Sequence, residues 1–348
     1  MGEEDTTTHN ESFYGQLENF YEERVLKIFA KVLEAILSNQ KYWPYAGSVV
    51  WFVLLSAWGR RRFLLYGNVA VFLHGLAYII FPSQSISFWS NGLLDPLHVE
   101  LGRLTGIIVL TVAVCNYFLL QSTDKTVDAA MLVSHTVTAG LLCMNTMYTY
   151  NYPSKKKFAW FSQQTMDLGV FSSLGWFVIC VLYTITQTDW GGFAELPSRR
   201  NLHLRLNFFA LCVVGIVWFA FPSTIVQMFT NLTVKSLDGV HSHFIRLVGA
   251  LLLGFCFTVA KSTNFLRETD KSAVLVSQML GIFMALVSLV VCRSRFPGIF
   301  QCNGGLFRIA LLCLLLFNSY LGVDFKAFYK QFCVSNRMFK NTFRVKEH

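Results

Sequence analysis

Two arginines and a set of histidines stand at the edges of long apolar runs, where a lipid-facing sequence would carry neither. Arg103 and Arg246 each open such a run. The run after Arg246 extends only from Leu247 to Ala260, about 21 Å of helix at 1.5 Å per residue. A helix that crosses a bilayer there must begin earlier, which puts Arg246 one or two turns inside it. A charge at depth costs about 2.5–3.5 kcal/mol at mid-span on insertion scales and usually faces protein or water. On one reading the two arginines face a shared cavity and bind an anionic group. On the other, each snorkels to the headgroups or pairs locally. Glu100, one turn before Arg103, is such a partner, whereas Ser242 and His243 stand near Arg246.

His98, His241 and His243 precede the same runs, and with the arginines His98 and His241 complete a candidate substrate-binding set. The His241-x-His243 spacing puts the two rings on different faces of a helix, and no cysteine or carboxylate completes a ligand set, so no metal is expected. His74 and His135 fall inside apolar runs. Such histidines commonly bond across helices, and His135 is also a candidate polar point on a solute path. The nine cysteines show no Cys-x-x-Cys and no zinc spacing. Cys292 and Cys302 bracket one loop and would pair on an oxidising side. A Walker lysine, a dinucleotide turn, a Gly-x-Ser-x-Gly elbow and a His-Glu-x-x-His helix are all missing, so no catalytic residue and no cofactor is expected.

The elements that position these residues follow from composition. The chain is 54% hydrophobic and only 14% charged, too poor in charge for a soluble domain's surface. Its apolar residues fall into stretches long enough to cross about 30 Å of hydrocarbon as helix, without a barrel wall's alternation. The expected spans are Phe63–Phe81, Leu104–Leu120, Ala130–Tyr148, Met166–Ile185, Leu206–Phe221, a short one ending near Ala260, Ala273–Cys292 and Leu306–Val323. The acidic start, Gly2 to Asp5, is unlike a cleavable signal peptide. Basic residues on the side of Arg60–Arg62 outnumber those opposite roughly two to one, which predicts a cytosolic C-terminus, although Lys155–Lys157 fall on the other side. Asn231-Leu232-Thr233 is a glycosylation sequon on the outer or lumenal side. The net charge of +9 reflects this orientation and a basic tail rather than a nucleic-acid surface.

The sequence also repeats itself. His98, Arg103, Leu104 and Gly106 reappear 143 residues later as His241, Arg246, Leu247 and Gly249. Gly75-to-Ser83 has its counterpart in Gly215-to-Ser223, Thr123-Asp124-Lys125 in Thr269-Asp270-Lys271, and Leu132-Val133-Ser134 in Leu275-Val276-Ser277. The expected fold is therefore all-α: about eight spans as two parallel four-helix repeats, at 60–187 and 201–323, joined by a linker at 188–200. Ahead of them, residues 1–59 hold an amphipathic helix at 11–37, a candidate for lipid or partner contact, and a short apolar segment, Tyr45–Trp58, read as interfacial or re-entrant. A basic tail follows at 324–348. Met1-Gly2-x-x-x-Thr6 fits a myristoylation pattern, and the last residues, Arg344 to His348, resemble a retrieval signal of early secretory membranes.

Phe221-Pro222, a variable segment and then Ile245-Arg246-Leu247-x-Gly249-Ala250-Leu251-Leu252 resemble the tumour protein p53-inducible protein 11 family of multi-pass proteins, and more distantly DoxX-like four-helix proteins. The resemblance covers the second copy best, and the doubling is this chain's own. It implies a four-helix membrane unit without assigned catalytic residues. Two functions stay open. The first is a non-catalytic accessory, scaffold or sorting protein of the secretory pathway or plasma membrane. The second is a carrier for a small anionic solute or a lipid, with its site between the copies. A membrane enzyme with an unfamiliar site ranks third.

Overall fold

The computed structural model describes residues 60–151, 159–192, 195, 197–231, 237–300 and 303–325, and there the chain is almost wholly helical. In order, the elements are α1 (Arg60–Ile80), α2 (Pro82–Trp89), β1 (Ser90–Gly92), α3 (Pro96–Leu119), α4 (Lys125–Asn151), β2 (Ala159–Phe161), α5 (Gln163–Ile185), α6 (Arg199–Ala220), α7 (Pro222–Phe229), α8 (Gly239–Ser262), α9 (Glu268–Arg295), α10 (Pro297–Phe300) and α11 (Asn303–Gly322). The expected helix at 11–37, the segment Tyr45–Trp58, Lys155–Lys157, Cys302 and the tail beyond residue 325 lie outside the described residues. One small ribbon departs from the all-α expectation: β1 pairs antiparallel with β2, with Asn91 opposite Trp160.

Each expected span has its helix. Seven of the helices, α1, α3, α4, α5, α6, α8 and α9, are long and apolar enough to cross a membrane, and α11 adds the shorter apolar stretch Leu306–Gly322. Local chemistry sets their ends. Ser162, Ser198, Asp95 and Asp238 each accept a backbone N–H at the start of α5, α6, α3 and α8, satisfying donors that a helix N-terminus leaves open. Pro82 and Pro222 stop α1 and α6 and begin the short helices α2 and α7 at their first positions, where a missing N–H costs nothing. Because α3 starts at Pro96 and α8 at Gly239, Arg103 and Arg246 both lie about two turns inside their helices.

Neighbours in sequence are not always neighbours in space. α3 lies between α1 and α9, α8 lies between α6 and α4, and α3 and α8 pack on each other. α5 covers α4, while α11 covers α9 and α6. By contrast α3 scarcely touches α4, and α8 scarcely touches α9. The segments 60–187 and 201–323 are thus interleaved, not two self-contained bundles: the later helices of each pack on the central helix of the other. Small residues make these exchanges close. A Cβ on Gly254 of α8 would sit 1.6 Å from Thr138 Oγ1 of α4, and one on Gly281 of α9 would sit 2.1 Å from Thr111 Oγ1 of α3. Ser134 Oγ also donates to the Gly254 carbonyl at 2.8 Å. The crossings within each segment use glycine on both sides, Gly75 against Gly106 and Gly215 against Gly249.

At the far end of α3 and α8 the two charged turns reach across to each other. Ser122 donates to Asp270 at 2.6 Å, and Asp124 accepts the Thr126 and Leu266 N–H groups at 2.8 Å each. Lys271 is fully buried beside them, its Nζ 3.1 Å from the Glu268 carboxylate and 3.1 Å from Asn201 Oδ1. At the opposite end a hydrophobic core gathers Leu97, Leu101, Phe244, Ile245 and Val248 around the starts of α3 and α8.

Candidate functional site

Three polar constructions sit on this frame. The first joins the starts of α3 and α8. Asp95 caps α3 by accepting from the His98 backbone N–H at 2.9 Å, and its own N–H donates to His98 Nδ1 at 3.1 Å. Asp238 caps α8 through His241 in the same way, at 2.9 Å and 3.4 Å. With Nδ1 accepting, each ring carries its proton on Nε2 and turns it to the other cap: His98 Nε2 lies 3.2 Å from Asp238, and His241 Nε2 lies 3.1 Å from Asp95. The two rings stack with centroids 3.5 Å apart. Asp238 takes a further bond from the Ala159 N–H at 3.1 Å, which ties β2 to the cluster. Burial alone would raise both carboxyls. The hydrogen bonds from His241 and His98 outweigh it and hold Asp95 and Asp238 below the usual carboxylate range.

Asp95, His98 and His241 present ligand atoms within 4.8 Å of one another, a spacing that suits a metal ion. The ring arrangement does not suit one. Asp95 Oδ1 lies 3.0 Å from His98 Nδ1 and 3.1 Å from His241 Nε2, so the rings stack head to tail. An ion in the plane of one imidazole is then out of the plane of the other, and every ring nitrogen already faces a carboxylate or a backbone N–H. The cluster works as a fastener between two capped helices.

The second construction lies one turn deeper. Glu100 of α3 is buried and accepts from Ser288 Oγ at 3.1 Å and from the Cys292 thiol, both on α9. Arg103 Nη1 reaches the same sulfur at 4.0 Å, and the guanidiniums of Arg103 and Arg308 lie within electrostatic reach of Glu100. The equivalent positions on α8 and α4 hold other side chains. His243 Nδ1 sits 3.0 Å from Thr149 Oγ1, Asn145 donates to the His243 carbonyl at 3.1 Å, and Arg246 lies 4.0 Å over the Tyr148 ring. One scaffold therefore carries an acidic, thiol-bearing cluster on one side and a histidine–amide cluster on the other.

The third is a cavity of about 240 Å³ between α3, α6, α8, α9 and α11, partly open at its side. Its wall is almost entirely aliphatic and aromatic, with Leu104, Ile108, Val214, Trp218, Val248 and Leu289 typical. Polar groups mark its two ends: Glu100 and Arg308 at one, Asn207, Gln278 and Thr111 at the other. Asn207 is held by neighbours, donating to Gln278 Oε1 at 2.7 Å and to Ser319 Oγ at 2.9 Å while accepting from Asn318 at 2.8 Å. On the side of α5 the space is occupied differently: the Trp176 indole lies against Gly67 and 5.2 Å from the Phe63 ring.

The residues named from the sequence divide among these places. His98 and His241 meet, as stacked partners rather than as an open ligand pair. Arg103 and Arg246 occupy matching positions but face α9 and α4 respectively, and neither lines the cavity. His135 Nε2 lies 3.2 Å from Asn116 Nδ2, joining α4 to α3 away from the cavity. Asn231 is exposed, with its N–H on the Ile299 carbonyl at 2.9 Å and its amide on Gly298. Cys292 is a free thiol bonded to Glu100. Asp95, Asp238, Gln278 and Arg308 were not legible as site residues. Asp-x-x-His does occur twice at the repeat spacing, and that signal would have found the first two.

The chain belongs to the domain-of-unknown-function family DUF8292, whose profile matches residues 66–324. No curated protein and no solved structure matches it.

Proposed function

We propose that this DUF8292 protein is a polytopic integral membrane protein, duplicated about an axis along the membrane normal, that holds a single-chain amphipathic lipid between its halves. The cytosolic C-terminus and an outer or lumenal Asn231 belong to the same proposal. The cavity carries the reading. Packed interiors have few voids larger than a water molecule, and a slot of about 240 Å³ lined by leucine, isoleucine and valine is dry enough to prefer hydrocarbon. Its charged end, at Glu100 and Arg308, lies near the starts of α3 and α8, and the proposal sets the headgroup there. Of the two functions left open by the sequence, a carrier of a small anionic solute or a lipid accounts for an internal slot, whereas a non-catalytic accessory, scaffold or sorting role does not by itself call for one.

The test is co-purification. Protein extracted in mild detergent, washed and analysed by native mass spectrometry retains a small amphiphile at about one per chain. Ala285→Trp, which fills the wall from α9, abolishes retention while leaving the helical content unchanged. A folded wild-type protein without bound amphiphile, or equal retention in both proteins, would overturn the reading.

A further inference from the structure

The two halves carry their charges differently at the end of the molecule where α1 and α6 begin. Arg60 of α1 and Arg200 of α6 stand 140 residues apart in equivalent helices, and Lys125 and Asp128 of α4 correspond to Glu268 and Lys271 of α9 at the 143-residue spacing. In the second half these charges close on each other. Glu268 takes Arg200 and lies 3.1 Å from Lys271 Nζ, while Arg200 Nη2 lies 3.7 Å from Asp324. Two cations meet two carboxylates there.

In the first half the same positions stay open. Arg61, Lys125 and Arg60 all lie within electrostatic reach of Asp128, yet among the described residues none closes an ion pair on it. Each guanidinium is anchored by one bond. Arg60 Nη2 donates to the Thr186 carbonyl at the end of α5 at 3.3 Å, and Arg61 Nη2 to the Leu120 carbonyl at the end of α3 at 3.1 Å. A guanidinium carries five N–H donors, so both keep most of theirs. Arg61 and Lys125 are exposed. The neighbouring Asp124 does not offset them, because it is buried and its two oxygens accept the Thr126 and Leu266 N–H groups. Three fixed cations thus surround one half-buried carboxylate.

The surface beside this cluster is apolar. Ile185, next to the residue whose carbonyl anchors Arg60, is 75% exposed, and Leu182 on α5 and Leu65 and Val69 on α1 are exposed as well. Cations at the edge of an exposed apolar helix face match both parts of a phospholipid: oriented donors for its phosphate, and a surface along α1 and α5 for its acyl chains. A soluble anion uses only the first part. Resting on the reading of the chain as a membrane protein, but not on the slot between its halves, we infer that Arg60, Arg61 and Lys125 bind the headgroup of an anionic phospholipid in the leaflet on that side.

The experiment titrates the full chain in mild detergent with dioleoyl phosphatidylglycerol or dioleoyl phosphatidylcholine and follows bound lipid by native mass spectrometry. Wild type binds its first phosphatidylglycerol more tightly than phosphatidylcholine. One cation beside an anionic lipid contributes about 1 kcal/mol, a factor of about five. Arg61→Gln and Lys125→Gln therefore each weaken phosphatidylglycerol binding about fivefold, and leave phosphatidylcholine binding unchanged, which also reports a folded protein. Arg199→Gln, which removes an exposed cation at the start of α6, changes neither. Equal wild-type affinity for the two lipids, or an equal loss in Arg199→Gln, overturns the site. Displacement of phosphatidylglycerol by an equal concentration of inorganic phosphate assigns the cluster to a soluble anion and overturns the lipid. The slot's amphiphile stays bound in both cluster variants; its loss together with phosphatidylglycerol would merge the two sites and overturn this one. A chain that stays in solution without detergent overturns the membrane reading itself.

Discussion

Asp95 and Asp238 occupy the same position in the two halves, yet the structure predicts that losing them has different costs. Asp238 is fully buried and accepts three bonds, from the His241 N–H at 2.9 Å, the Ala159 N–H at 3.1 Å and His98 Nε2 at 3.2 Å. Asp238→Ala removes a helix cap, worth about 1 kcal/mol. It also strands two buried donors at about 1–3 kcal/mol each, for a total of about 3–7 kcal/mol. Asp95 is 35% exposed at its side chain, so water takes over part of its role and Asp95→Ala costs about 1–2 kcal/mol. Asp238→Asn keeps an acceptor and falls between. Reversible unfolding in mixed micelles, followed by circular dichroism, measures all three. The acid side supplies a second readout. The Asp238 carboxyl titrates below its unfolded value of 3.8, so its contribution is complete above about pH 4 and drains away as the pH falls further, by no more than about 1.4 kcal/mol per unit. Asp95, more exposed, adds a smaller part with the same sign. Asp238→Asn flattens this slope. If Asp95→Ala proves as damaging as Asp238→Ala, the fastener is not organised around the buried carboxylate and the argument fails.

Two further outcomes test the frame and the reach of the cavity. A Cβ on Gly249 would lie 2.5 Å from the Phe219 backbone nitrogen, an atom that cannot swing aside, whereas one on Gly298 meets nothing within 4 Å. Gly249→Ala is therefore expected to cost about 1–3 kcal/mol and Gly298→Ala nothing, and equal thermal midpoints for the two would mean the α6–α8 crossing is looser than described. Arg246→Ala breaks its contact with the Tyr148 face, about 0.5–2 kcal/mol, and is expected to leave the amount of co-purified amphiphile unchanged. A drop in bound lipid would return Arg246 to the site.

The helices were legible because hydropathy over a bilayer's thickness is a strong local signal, and each expected span found one. Helix ends were harder. α3 and α8 begin earlier than their apolar runs because Asp95 and Asp238 cap them, and an aspartate ahead of a polar turn leaves no mark in a hydropathy window. The interleaving of 60–187 with 201–323 was not legible at all. It depends on Gly254 receiving Thr138 and Gly281 receiving Thr111, pairings between positions more than a hundred residues apart whose residue types are common in any membrane helix. Gln278 was passed over for a similar reason: one amide in an apolar run normally bonds to a neighbouring helix, and this one does so with its oxygen.

The recurring sequence positions carry different side chains on the two sides. Glu100, Ser288 and Cys292 stand on α3 and α9 where His243, Asn145 and Thr149 stand on α8 and α4, each pair at the repeat spacing. The backbone frame is common, since the crossings that hold it are built from small residues in both halves. What differs is what each frame carries. On one side a carboxylate and a thiol accompany Arg103, and the space beyond them stays open as an apolar slot. On the other, neutral donors and acceptors satisfy one another around His243, Arg246 is absorbed by an aromatic face, and Trp176 fills against Gly67. The small residues at the crossings are shared by the two sides, and the polar residues around them are not.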